Sequence, residues 1–150
     1  VVYLSMAFGN PYGEKYHPEI AAELTEKLHQ LDVKIIALSD TIGVSNPANI
    51  APIFSTLISE YSEIEFGAHF HTNPEKWKEK VDSAYQNGCR RFDSAIKGFG
   101  GCPMAKDDLT GNMPTEELLI WMHENNIINA IDNRSFDMAI DSVEHVFKEQ

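Results

Sequence analysis

Glu65-Phe66-Gly67-Ala68-His69-Phe70-His71 is an apolar run that closes on two histidines. It has the length and composition of a buried strand. In a strand, residues two apart share a face, so the imidazoles of His69 and His71 project together. A pair of imidazoles on one face is the start of a metal site. The alternative is two histidines of which one is buried and hydrogen-bonded within the core.

Outward from this run the same pattern repeats. Apolar strand segments are expected at residues 1–7, 33–38, 65–70 and 90–96, each followed by a helical pattern. Ile20, Leu24, Leu28 and Leu31 fall on one helical face after the first. Ile50, Phe54, Leu57, Ile58 and Tyr61 do so after the second, behind an Asn46 cap and a first-turn Pro47. Asn73-Pro74 is expected to open the third helix in the same way, with Trp77, Val81, Ala84 and Tyr85 inward and Gly88 at its end. Thr115-Glu116-Glu117 begins a fourth carrying Leu118, Leu119 and Met122. A last helix runs from about Ser135 to Lys148, with Phe136, Ile140, Val143 and Phe147 inward.

Strand–helix units repeated in this way predict an α/β fold with a parallel sheet. Two architectures suit them: an open doubly wound sheet, or part of a TIM barrel. A whole barrel needs eight strands and about 250 residues. The polar strand ends favour the barrel. Ser5, Ser39-Asp40-Thr41, His69 with His71, and Ser94 with Lys97 all lie where strands finish, which is where a barrel carries its active site. The expectation is therefore parallel β/α units forming the second half of a TIM barrel, with additional C-terminal helices. Residues 1–150 form that one domain, as a piece of a longer protein. An isolated half-barrel leaves parallel edges open. It is expected to pair with the N-terminal half of the barrel or with another half in a homodimer.

Bulk composition bounds the function. The net charge of −11 disfavours nucleic acid and anionic membrane surfaces as partners. No apolar run reaches membrane-spanning length and no signal peptide is visible, which predicts a cytoplasmic protein. With only two cysteines, Cys89 and Cys102, a disulfide framework is not expected. Cys89, between a helix end and a strand, reads as a packed thiol.

A hard divalent cation at His69 and His71 would also need oxygen ligands, for which Asp40 and Asn112 are available. Asn112 follows Gly111, in a dipeptide that reads by itself as a turn. Gly98-Phe99-Gly100-Gly101-Cys102-Pro103 is a glycine-rich loop with a thiol in its tip. It reads as a mobile lid with a proton donor or nucleophile, or as a flexible loop with an incidental cysteine.

Taken in order, Ser39-Asp40-Thr41-Ile42-Gly43-Val44, Gly67-Ala68-His69-Phe70-His71, Gly98-Phe99-Gly100-Gly101-Cys102-Pro103 and Gly111-Asn112 resemble the hydroxymethylglutaryl-CoA lyases. These are metal-dependent TIM-barrel lyases related to the isopropylmalate and homocitrate synthases. The His-x-His is common to that superfamily, whereas the Gly-Gly-Cys-Pro loop is particular to the lyases. The resemblance implies Mg²⁺ or Mn²⁺ on His69, His71 and Asn112, with catalytic roles for His69 as acid/base beside the metal, for Cys102 as the loop's proton donor and for Asp40, which orients or tunes them. It implies an acyl-CoA substrate, for which Tyr3, Thr41, Lys97, Gly100 and Gly101 are the candidate contacts; Lys97 is assigned to the CoA phosphates on charge alone. The family's remaining metal-binding Asp and its catalytic Arg belong to a first barrel strand that this sequence does not contain. The implied reaction is retro-Claisen cleavage to acetyl-CoA and acetoacetate, which the 150 residues alone would not complete. The rivals are an acyl-CoA carboligase of the same superfamily and a non-catalytic half-barrel. The sequence departs from the usual family pattern at Ser39, at Thr72 to Trp77, and at Lys97.

Overall fold

The computed structural model describes residues 1–101 and 110–147, apart from the side chains of Glu144 and Phe147. Four parallel strands lie side by side in chain order: β1 (Val2–Leu4), β2 (Ile35–Asp40), β3 (Glu65–Thr72) and β4 (Arg91–Phe92). Between them run α1 (Pro18–Gln30), α2 (Pro47–Glu60) and α3 (Trp77–Gln86). Sequential order with right-handed crossovers puts every helix on the same face of the sheet. A doubly wound sheet instead reverses its strand order and carries helices on both faces. The order therefore selects the barrel arrangement from the two that the strand–helix repeat allows.

Strand parity divides the residues between the faces. Ile36, Leu38, Phe66, Ala68 and Phe70 are buried and form one core with Ile50, Ile53, Phe54 and Leu57 of α2 and Val81 and Ala84 of α3. Tyr3, Ala37, Ser39, Gly67, His69, His71, Arg91 and Asp93 have the opposite parity and take the helix-free face. Gly67 is needed there because a Cβ would lie 2.9 Å from Cδ of Arg91, whose side chain crosses it.

Local expectations hold where capping chemistry was specific. Asn46 caps α2, its side chain accepting from Ala48 N at 3.0 Å while Asn49 Oδ1 accepts from Asn46 N at 2.8 Å. Gly88, at φ +96°, follows α3 in the left-handed conformation. The Asn73 side chain caps a turn at Glu75 and Lys76 instead of the helix itself, so α3 begins at Trp77. On α1 the buried residues are Ala21 and Thr25, not Ile20 and Leu24, which are exposed on the side away from α2.

Strand lengths differ in ways that shape the site. The ladder of β1 stops at Leu4 because Met6 adopts φ +60°; the chain then rejoins β2 through Ala7 N to Ser39 O at 3.0 Å. The expected strand at 90–96 is cut to Arg91–Phe92 because the chain leaves β3 after Asp93 and pairs with another segment. Ala95 N donates to Met113 O at 2.9 Å, and Thr115 N to Ala95 O at 3.0 Å. Beyond a 3₁₀ turn at Ile96–Gly98 comes β5 (Gly111–Asn112), antiparallel to β3. Then follow α4 (Thr115–Glu124), with Leu118 and Trp121 buried, and α5 (Asn133–Phe147). Phe136, Ile140 and Val143 of α5 are half-buried; the Phe147 side chain and Lys148 lie outside the described residues. Among the described residues no helix is long and apolar enough to cross a membrane.

Candidate metal centre

β3 runs on to Thr72, two residues beyond its expected end, and so holds both histidines in regular strand geometry. Their ring centroids are 5.3 Å apart. Each ring is oriented through Nδ1 by a different partner. His71 Nδ1 lies 2.9 Å from the carbonyl oxygen of Thr41, and a carbonyl only accepts, so Nδ1 carries the proton and Nε2 the lone pair. His69 Nδ1 lies 3.3 Å from Asp93 Oδ2, which sets the same tautomer. A hydrogen bond from the far ring nitrogen to a carboxylate or carbonyl is the usual support of a metal-binding histidine. Burial holds His71 below the ordinary imidazole pKa, against the opposing hydrogen bond to Thr41. His71 is therefore both of the things its sequence allowed: buried and hydrogen-bonded, with its second nitrogen available.

Asn112 does not sit in a turn. It lies on β5 directly opposite His71 in the antiparallel ladder. Its Nδ2 donates to Phe99 O at 2.8 Å, which fixes the amide so that Oδ1 is the end available for other contacts. Two imidazole nitrogens and a carboxamide oxygen suit a divalent cation and fill part of its coordination shell. Among the described residues no group of three His, Cys, Asp or Glu could hold a metal ion, so the set depends on Asn112 and wants further oxygen donors.

Asp93 has no place among the candidates drawn from the sequence, yet it organises this face. Besides His69 it hydrogen-bonds Tyr3, whose phenol it holds above the ordinary pKa, with burial adding to the effect. Tyr3 also meets the His69 ring edge-on, at 5.5 Å between centroids. The signal was parity: Asp93 follows Phe92 by one residue, and Phe92 pairs with Ala68, so Asp93 stands beside His69.

Asp40 is not with them. It pairs with Phe70, on the helix side of the sheet, and is 1 % exposed. Its carboxylate accepts from Val44 N at 2.8 Å, Ser45 N at 3.0 Å and Ser45 Oγ at 2.5 Å, and pairs with Lys80 Nζ at 2.7 Å. Strand alternation makes this unavoidable, since Ser39 and Asp40 cannot both face inward. Of that motif it is Thr41 that reaches the site, through its carbonyl on His71. Its hydroxyl is used in accepting from Met6 N at 2.8 Å.

The glycine loop is packed against β5. A Cβ at Gly98 would lie 2.8 Å from Asn112 O, at Gly100 2.9 Å from Asn112 Nδ2, and at Gly101 2.9 Å from Thr110 O. Close approach to the β5 backbone at Gly98 and Gly101, and to the Asn112 side chain at Gly100, favours these glycines beyond their conformational freedom. Lys97 has φ +55° and its backbone N–H donates to the Glu116 carboxylate at 2.9 Å. Cys102 lies outside the described residues. Cys89 is fully buried beside Phe66 O and Arg91 O, and burial pushes its thiol up to about 12.

Comparison with known proteins agrees with this arrangement. The HMGL-like family model matches residues 3–143. The chain is 33% identical to the hydroxymethylglutaryl-CoA lyase of Pseudomonas mevalonii over 121 residues, 81% of this chain and 40% of that protein. It is 34% identical to the mitochondrial hydroxymethylglutaryl-CoA lyase of Bos taurus over 120 residues, 80% of this chain and 37% of that protein. Among solved structures, the HMG-CoA lyase of Bacillus subtilis matches with a TM-score of 0.86 at 29% identity, over 95% of this chain and 48% of that one. An HMG-CoA lyase from Acinetobacter baumannii, in complex with coenzyme A and 3-methylmalate, matches with a TM-score of 0.77 at 34% identity, over 87% of this chain and 42% of that one. The chain thus spans about two fifths of the length of the curated relatives it matches. With parallel strands in barrel order and a His-x-His facing an asparagine at their ends, this chain belongs to the HMGL-like family.

Proposed function

We propose that this chain supplies the metal-binding part of a hydroxymethylglutaryl-CoA lyase-type active site, as the C-terminal half of a (β/α)8 barrel. The observation that carries the reading is His71 paired with Asn112 across β3 and β5, with His69 beside them and both imidazoles held through Nδ1. His69, His71 and Asn112 would hold Mg²⁺ or Mn²⁺, which when bound polarises the substrate's oxygens and favours loss of its hydroxyl proton. With Nδ1 turned to Asp93, His69 keeps one nitrogen for the site. It therefore serves as a ligand and does not take the hydroxyl proton, which goes to a base on the barrel's preceding strands. Tyr3, edge-on to His69, closes the substrate's side of the ring. Cleavage of the carbon–carbon bond of a 3-hydroxyacyl-CoA yields acetoacetate and the enolate of acetyl-CoA. Cys102, at the loop tip, returns a proton to the enolate carbon. Lys97 and the backbone at Gly100 and Gly101 border the acyl-CoA. The coenzyme A held by the Acinetobacter baumannii lyase supports that substrate class. Asp40 acts from behind the sheet, through the Thr41 carbonyl, and does not touch the reacting atoms.

The test is Mn²⁺ binding by the purified chain, with acetoacetate release from hydroxymethylglutaryl-CoA measured alongside. We expect weak Mn²⁺ binding that His71→Ala abolishes, and turnover only when a barrel's preceding strands are present. Mn²⁺ binding that His71→Ala and Asn112→Ala leave unaltered would overturn the assignment.

A further inference from the structure

Lys80 is a lysine with no solvent exposure in the middle of α3, and nothing in the lyase chemistry calls for it. A buried ammonium is tolerated only with strong partners. Lys80 Nζ has three: Asp40 Oδ2 at 2.7 Å, the carbonyl oxygen of His71 at 2.9 Å and that of Gly43 at 3.2 Å. These accept all three of its protons. The partners come from the end of β3 and from the turn that follows β2. The β2–β3 ladder itself ends at Asp40 and Phe70, one residue short of His71. Past that pair, two side-chain links join the strand ends. One is the Thr41 carbonyl on the His71 ring; the other is Lys80, which grips the His71 carbonyl and the residue before Thr41.

We propose that Lys80 is a positioning residue for the metal centre: its ammonium ties the end of β3 to the turn after β2 and holds the Thr41 carbonyl in register with His71 Nδ1. The metal-binding part of this statement rests on the function proposed above. The register and tautomer part does not.

The single substitution Lys80→Met leaves the Asp40 carboxylate buried and unpaired and is a poor test, because it threatens folding. Asp40→Asn/Lys80→Met removes both charges while keeping one amide oxygen that can accept from Val44 or from Ser45, with Asp40→Asn as its control. The first readout is the nitrogen NMR spectrum of His71 in metal-free protein. Unaltered protein should show one tautomer, protonated at Nδ1, and the folded double variant should show both in exchange. The second is Mn²⁺ affinity, which should fall about 10- to 100-fold, the range for loss of an outer hydrogen bond at a metal site. A folded double variant with one tautomer and unchanged affinity overturns the proposal. Loss of the single tautomer in a protein that binds no Mn²⁺ leaves the positioning role standing and sinks the metal reading instead. If the double variant does not fold, the Lys80 ammonium resonance of unaltered protein decides. It should shift on Mg²⁺ addition together with the His71 ring nitrogens, and a Lys80 signal that stays still while His71 responds overturns the proposal.

Discussion

Asp93 Oδ2 stands 3.3 Å from Nδ1 of His69, across the first inward position beyond the β3–β4 ladder. The neighbouring histidine is steadied by a neutral carbonyl instead, that of Thr41. The two rings therefore share a tautomer but not an electrostatic environment, and they should respond differently to loss of their partners.

Asp93→Asn keeps the shape of the carboxylate but allows the amide nitrogen to face His69. Divalent-metal affinity should fall about 10- to 100-fold, as for other outer hydrogen bonds at metal-binding histidines. The Tyr3 phenol should also titrate at lower pH, since the Asp93 hydrogen bond is the largest cause of its upward shift. Ultraviolet titration of the tyrosines checks the second effect without any metal present. An unmoved Tyr3 would show that Asp93 does not couple the two rings.

Gly98→Ala should be damaging out of proportion to its size. The added Cβ would lie 2.8 Å from the Asn112 carbonyl oxygen, at a residue with φ +64°. Destabilisation of more than about 1 kcal/mol is expected, above the usual gain from reduced chain entropy and opposite in sign. Thermal denaturation gives the stability change. A metal titration shows whether displacement of Asn112 goes with it.

Cys89 should be inert in the native state. In a Cys102→Ser background, a thiol reagent at pH 8 should label Cys89 only after unfolding. Its folded pKa of about 12 exceeds the ordinary 9.0, so the neutral thiol's contribution to stability is full below pH 9. That contribution is lost as pH rises from there through about 12. Denaturant midpoints measured across this window should decline, and Cys89→Ala should flatten the decline.

Asn46→Ala removes the acceptor for Ala48 N, while the backbone N–H of residue 46 can still donate to Asn49 Oδ1. A loss of about 1 kcal/mol is expected, with Asn46→Ser close to unaltered protein. Urea unfolding of the three proteins side by side separates the two outcomes.

Much of the fold was legible because strand period, helix caps and strand-end polarity are local properties. Asn46-Pro47 and Gly88 marked helix ends by chemistry that needs no tertiary information. Other features were decided at a distance. The strand at 90–96 was cut short because Ala95 found its hydrogen bonds with Met113 and Thr115, residues nearly twenty positions away. Ile20 and Leu24 have helical spacing but lie on the side of α1 away from α2. The site divided in the same way. His69 and His71 follow from alternation within one strand. Asp40 was misplaced because motif resemblance was weighed without counting its parity against Ser39. Asp93 was missed because its face depends on the register of β4 against β3. Lys80 was hidden among the charges of α3, although it stands on the same helical stripe as Trp77 and Ala84.

The crossing of the glycine loop over β5 has a mechanical consequence. Asn112 N donates to Gly100 O at 3.2 Å, and Asn112 Nδ2 donates to Phe99 O at 2.8 Å. The residue that faces His71 is thus bolted at two points to the segment that leads into Cys102. A displacement of residues 99–100 must drag Asn112 or snap both bonds. Movement of residues 99–100 and movement of the Asn112 amide opposite His71 are therefore geared together.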